Sequence, residues 1–281
     1  AANAQLAGTI FEQARVAVAA STGWLLILIM NVVLGFAFFL ALSRYGEVRL
    51  GGSDARPEYN RLDWFGMLFA AGMGIGLLFY SIAEPLQHFA AFLPHLDGDR
   101  PTTARLAMEM TFLHWGLHPW AVYALVGLSL AFFHFNRGEP LSFGAPLARV
   151  MRAEWARRAG WAVNLIAVLS TVFGISTSLG LGTSQAAEGI GHLTGLPAST
   201  GLELALIAIV AAVALLSVLS GLGNGVRLLS KLNLLLAFAL MLYVLSAGQT
   251  VFVLKALGEH LGGYINDLTV LSTWNETYTG T

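Results

Sequence analysis

Cysteine is absent from all 281 residues, which excludes a disulfide, thiol catalysis and any cysteine-ligated metal. Charge is nearly as scarce. Asp, Glu, Lys and Arg make up 11% of the chain, against about 25% in an ordinary soluble domain. The apolar stretches hold no paired carboxylates and no Ser-His-acid set, so an enzyme is the weakest reading. A formal net charge of −1 identifies no partner, and nothing in the pattern points to nucleic acid.

What is present is apolar. Hydrophobic residues are 56% of the chain and mean hydropathy is +0.69. Six stretches lack any Asp, Glu, Lys or Arg: Trp24–Leu42, Trp64–Ala83, Met110–Phe135, Trp161–Ala187, Leu204–Val226 and Leu232–Leu254. The hydrocarbon core of a bilayer needs about 20 residues of helix. The chain therefore reads as an all-α integral membrane protein, with spans at about 22–43, 62–84, 104–135, 160–187, 202–226 and 231–254.

The connections between these spans are asymmetric in charge. Arg44, Arg49, Arg56, Arg61, Arg137, Arg149, Arg152, Arg157, Arg158, Arg227 and Lys231 fall on one side, which the positive-inside rule makes cytoplasmic. The cluster from Arg149 to Arg158 reads as a solvated cytoplasmic face, with anionic-lipid contact as an alternative. Residues 1–20 read as a short helix outside and residues 255–281 as an outer interfacial segment. Around the start of that segment, Val251, Leu254, Leu257, Leu261 and Tyr264 recur at helical spacing over 250–271. A solvated loop is the alternative there. An N-terminus outside, and a first residue other than Met, lead us to expect an earlier helix missing from this sequence.

Two stretches carry unusual chemistry. Gly72, Gly74 and Gly76 interrupt the second span. Each glycine in a helix interior costs about 1 kcal/mol relative to alanine. Gly72 and Gly76 suit a packing seam, but Gly74 faces elsewhere, so local unwinding accounts for the set better. An unwound turn at membrane depth exposes backbone carbonyls, which suit a hard monovalent cation, and marks the ion and substrate sites of secondary transporters. Glu84-Pro85 is expected to close this helix outside, with Glu84 bonding nearby backbone or a loop.

The third span carries Trp115, Trp120 and Tyr123. On one ideal helix they fall at about 0°, 140° and 80°, within one broad sector. Such a face, without an acid beside it, suits a cation that cannot hydrogen-bond, such as a quaternary ammonium. Packing or interfacial aromatics are the plainer alternative. Around them, His114 and His118 sit one turn apart, but with no carboxylate or third ligand evident they are expected to bond backbone or water rather than a metal. Pro119 clashes with the Trp115 carbonyl, which allows a kink there, with a plain Pro-tolerant helix as the equal alternative. Glu109 is expected near the outer interface, where it could attract a cation. Gly180 and Gly182 are expected to break the fourth span near its outer end. The triplet Asn275, Glu276, Thr277 is a formal glycosylation site of weak meaning.

The run GMGIGLLFYSIAEPL (Gly72–Leu86) resembles the betaine/choline/carnitine transporter (BCCT) family. So do HWGLHPWAVYALVGLSLAFFHFNRGEPLS (His114–Ser142), SRYGEVRLG (Ser43–Gly51) and TVFGISTSLGLG (Thr171–Gly182). The resemblance implies a fold of twelve transmembrane helices. Ten of these form two inverted five-helix repeats of the sodium-symporter type, and this chain would hold the second to seventh helices. That fragment, lacking the helices that complete the pocket, should not transport alone. The resemblance implies substrate contact by Trp115, Trp120 and Tyr123, and sodium contact by the carbonyls of Ala70 and Met73 and the hydroxyl of Thr171. Ile175 stands where the family pattern has a second hydroxyl, which leaves stoichiometry open; Ser176 is a possible substitute. The expectation is a sodium-coupled carrier of glycine betaine or a similar quaternary ammonium or sulfonium osmolyte in the plasma (inner) membrane. No cofactor beyond the coupling ion is expected, and a homotrimer is implied by resemblance alone. The alternatives are a proton-coupled choline carrier, a carnitine-type exchanger, and a membrane sensor that binds without transport.

Overall fold

The computed structural model describes residues 2–197 and 199–275, so Glu276 and Thr277 of the glycosylation triplet, and the end of the expected outer segment, lie outside the described residues. Among the described residues, ten α-helices run α1 (Ala2–Leu42), α2 (Arg61–Gly72), α3 (Ile75–Phe92), α4 (Arg100–Trp115), α5 (Leu117–Ala131), α6 (Leu147–Val150), α7 (Ala153–Thr194), α8 (Thr200–Leu219), α9 (Arg227–Ala247) and α10 (Thr250–Leu271). There is no strand among the described residues. Five helical stretches are long and apolar enough to cross a membrane, and the bent pair of α2 with α3 raises the number to six.

Accessible surface totals 20126 Å², whereas a folded soluble protein of this mass exposes roughly 11,700 Å². The excess is apolar side chains on the long helices, Trp24, Phe39, Trp161 and Leu216 among them. The buried positions are instead small or polar: Ala107, Ala121, Ala156 and Ala187 beside Asp63, Glu84, Thr103 and Glu109. That inversion suits a chain whose helices meet lipid or other helices on their apolar sides and each other through small and polar contacts.

Hydrogen bonds and ion pairs gather the basic connections at one end. Asn136, in the π-helical turn Phe132–Asn136 that ends the third span, donates to the Arg49 carbonyl at 2.8 Å and accepts from the Gly51 amide at 2.9 Å. Asn60 caps α2 by accepting from the Asp63 amide at 2.9 Å. The buried Asp63 carboxylate pairs with Lys231, and with Arg227 at 3.6 Å, tying the start of α2 to the start of α9. A charge buried this far needs such partners. The basic surfaces flanking spans one, three and five thus share one face, as the charge pattern predicted.

Several boundaries differ from the sequence reading. Residues 2–20 are helical but continue unbroken into the first span, because nothing between them and Leu42 stops a helix. At about 61 Å, α1 is twice the hydrocarbon thickness, so about half of it lies beyond that layer. Likewise α7 runs through Gly180 and Gly182 without a break, and ends only where Gly195 adopts φ 76°. Gly182 serves contact instead: a Cβ there would lie 2.9 Å from Ile75 at the start of α3. The fifth span stops at Leu219, and residues 222–226 form a π-helical turn leading into α9. Residues 250–271 are a helix, not a loop, packed along α4 with Tyr264 and Leu271 buried.

Candidate functional site

The second span breaks where its glycines are. Helix α2 ends at Gly72; Met73 (φ −98°, ψ 76°) and extended Gly74 follow; α3 starts at Ile75 on an axis bent by 53°. The unwinding is narrower than the glycine spacing suggests, since Gly76 already lies in the first turn of α3. A helix end leaves its last carbonyls without intrahelical partners. Those of Ala70, Ala71 and Gly72 would have accepted from the amides of residues 74–76, which instead belong to the break and to the new helix.

The third span breaks too, at Gly116 (φ −96°, ψ −131°), between α4 and α5. Pro119 lacks the amide that would satisfy the Trp115 carbonyl and crowds it as well. That carbonyl accepts from the Trp120 indole N–H at 3.0 Å. From α10, the Tyr264 hydroxyl accepts from the Leu117 amide at 3.1 Å. Burial pushes the Tyr264 phenol above its ordinary range, against the opposing effect of the Leu117 amide. A Cβ on Gly116 would collide with the Phe112 carbonyl and with this hydroxyl, so only glycine lets α10 approach.

This second break corrects the single-helix picture of the aromatic residues. Trp120 and Tyr123, both on α5, stay together, with ring centroids 5.8 Å apart and planes at 63°. They sit on the first break. The Trp120 ring lies where a Gly72 Cβ would be, and the Tyr123 hydroxyl donates to the Ala71 carbonyl at 3.1 Å. Trp120 also lines an apolar cleft of about 890 Å³ between α1 and α5. Trp115, ending α4, turns toward α3 instead: its ring centroid is 6.1 Å from that of Tyr80 and its indole donates to Glu84 at 2.6 Å.

Glu84 is the residue that local reasoning about the sequence underrated. It bonds neither backbone nor a loop. Its Oε1 pairs with His114 Nδ1 and lies 3.2 Å from His88 Nε2, and its Oε2 takes the Trp115 indole. It is buried, and α3 does not close there but passes through Pro85 to Phe92, which keeps His88 one turn beyond Glu84. The i, i+4 spacing of Glu84 and His88, and of Tyr80 and Glu84, was the available signal. His114 and His118 also part company, since the Gly116 break lies between them: His118 contacts the Asn31 side-chain carbonyl at 3.3 Å. A carboxylate and a third ligand do stand beside His114, contrary to expectation, and they are Glu84 and His88. Glu109 is not an interfacial attractor. It is 2% exposed, 3.5 Å from Arg105, and covered by α10 where Gly263 leaves room for it.

Among the expected sodium ligands, Ala70 lies in the last turn of α2 and Met73 in the break itself. Thr171 lies on an exposed face of α7, donating to the Ala167 carbonyl at 2.8 Å. Ile175, one turn on, is also exposed.

Known proteins are similar to this chain in sequence. The betaine/carnitine/choline family transporter model matches residues 1–281. The glycine betaine transporter OpuD of Bacillus subtilis is 41% identical over 263 residues, covering 94% of this chain and 51% of that protein. Glycine betaine transporter 1 of Vibrio parahaemolyticus is 40% identical over 276 residues, covering 96% and 52%. A glycine betaine/proline/choline transporter of the same organism is 36% identical over 265 residues, covering 89% and 48%. The chain thus spans about half the length of the curated relatives it matches. Its apolar helices and the aromatic residues seated on a broken span agree with that match: the chain belongs to the betaine/carnitine/choline family of membrane transporters.

Proposed function

We propose that the protein is a secondary active carrier that couples sodium entry to uptake of glycine betaine, or a similar quaternary ammonium or sulfonium osmolyte, across the cell membrane. The observation that carries this reading is the seating of Trp120 and Tyr123 on the Gly72–Gly74 break. It puts cation-binding rings and freed backbone carbonyls side by side, so that occupying one changes the geometry of the other. The relatives' names supply the substrate class.

In this mechanism sodium binds the carbonyls of Ala70 and Met73 and straightens the distribution of conformers toward one in which the break is held open. The ring faces of Trp120 and Tyr123 then receive the onium head group, while Trp115 stays tied to Glu84 in this conformation. Each good cation–π contact contributes about 0.5–2 kcal/mol. The Thr171 hydroxyl donates its hydrogen bond to the Ala167 carbonyl and keeps lone pairs for a second sodium. Access alternates as this repeat rocks against an inverted partner repeat.

The test is uptake of labelled glycine betaine by the full-length transporter carrying this sequence, in cells lacking their own osmolyte carriers, with sodium and then with potassium. Saturable uptake that collapses in potassium is expected. Uptake indifferent to sodium would transfer the reading to a proton-coupled choline carrier or a carnitine-type exchanger. Saturable binding without accumulation would make the protein a sensor. Trp120→Leu should raise KM by about 2- to 30-fold, the equivalent of one lost cation–π contact; unchanged kinetics in that variant would remove Trp120 from the site.

A further inference from the structure

We propose that Glu84, His88 and His114 form a binding site for a divalent transition-metal ion of the zinc class, bridging α3 and α4. The three side chains offer an oxygen and two imidazole nitrogens, all within 4.8 Å of one another. Zinc takes imidazole nitrogen and carboxylate oxygen at about 2.0–2.2 Å, which places adjacent ligands of a tetrahedral site about 3.3 Å apart. The separation of His88 Nε2 from Glu84 Oε1 is 3.2 Å, and His114 Nδ1 reaches the same oxygen from the neighbouring helix. Little rearrangement is needed to exchange the shared hydrogen bonds for a shared ion, with protons released from any protonated imidazole.

The surroundings are those of a built site. Glu84 and His88 occupy one face of α3 a turn apart, while His114 comes from the last turn of α4, so the ligands are held on regular helices rather than loops. The Trp115 indole donates to Glu84 Oε2 at 2.6 Å and orients the carboxylate, leaving Oε1 for the ion. Phe92 stacks on the His88 ring at 5.4 Å with planes 12° apart, which fixes that imidazole. The His114 side chain is 48% exposed, against 11% for Glu84, so the ion has an entry path and a position for water as fourth ligand. Two neutral imidazoles and one carboxylate leave the occupied site with a net single positive charge. They also give a ligand set of the kind zinc uses when one coordination position stays open.

Occupancy would staple α3 to α4 beside Trp115. That consequence for transport rests on the function proposed above, whereas the binding itself does not. The experiment is therefore a binding one. The full-length transporter carrying this sequence, purified in detergent micelles and stripped with chelator, is titrated with Co2+ as a spectroscopic stand-in. Four-coordinate Co2+ bands should grow to one ion per chain and bleach when Zn2+ is added. Both His88→Ala and His114→Ala should weaken Co2+ binding by tenfold or more while keeping the helical circular dichroism of the parent. His192→Ala, an exposed histidine on α7, should leave it unchanged. Absence of the bands overturns the proposal, as does their survival in either His88→Ala or His114→Ala.

Discussion

The two helix breaks are built from the same ingredient, a glycine under an aromatic side chain, yet they end differently. At Gly116 two of the groups the break frees are taken up by aromatic side chains: Trp120 takes the Trp115 carbonyl and Tyr264 takes the Leu117 amide. At Gly72–Gly74 only the Ala71 carbonyl has an aromatic partner, and a Cβ on Gly74 or Gly76 would meet nothing within 4 Å. One break is stitched shut and acts as a fixed corner, while the other keeps open space and spare carbonyls. A fixed corner positions rings; an unfilled break has room for an ion. Trp120 touches both breaks, so the proposed ion and substrate sites would meet through it.

Substitutions at the glycines test this contrast most directly. Gly72→Ala should have the largest effect, because its methyl would occupy the place of the Trp120 ring and force it off both contacts. Overpacking costs about 1–3 kcal/mol, and the displaced ring adds a lost cation–π contact, so uptake at low substrate should fall by well over tenfold. Wild-type uptake in Gly72→Ala would show that Trp120 does not need its seat. Next comes Gly116→Ala, which drives α10 from the corner; a loss of about 1–3 kcal/mol in unfolding stability is expected, read as a lowered midpoint in thermal denaturation of the chain in detergent.

Smaller effects sharpen the difference. Tyr123→Phe removes the bond to the Ala71 carbonyl but keeps the ring. A typical hydrogen bond contributes about 0.5–1.5 kcal/mol, so sodium affinity should shift by about 2- to 12-fold with a smaller change in betaine KM. Equal shifts in both would mean that Tyr123 acts through its ring alone. The smallest effect belongs to Gly74→Ala. Its backbone (φ −93°, ψ −178°) is extended and open to any residue, so uptake within about twofold of wild type is expected from the room available. A severe loss there would reveal that the break must move through conformations only glycine can reach.

Much of this was legible before the structure. The period and length of charge-free stretches gave the six spans, and the arginines gave a common face that Asn136 and Asp63 then tie together. The glycine cluster marked the first break because a helix gains little from glycine. Gly116 passed unnoticed beside Pro119, since a lone glycine in a long apolar run is common and its purpose lies in Tyr264, 148 residues away. Glu84 was misjudged for a similar reason. Its bonds to His114 and Trp115 cross from α3 to α4, and no local pattern records a partner 30 residues on.

The sequence by itself determined the solvent of this protein, its all-helical class, the gathering of its basic connections at one end and its family, because hydropathy, charge and motif are properties of the chain read in order. Only the tertiary structure decided which aromatic residues lie together. Breaking the third span at Gly116 rotates Trp115 toward Glu84 and Tyr80, and leaves Trp120 and Tyr123 on the open carbonyls of the second. A helical period predicts facing side chains only while the helix lasts, and here the helix ends between the residues being compared.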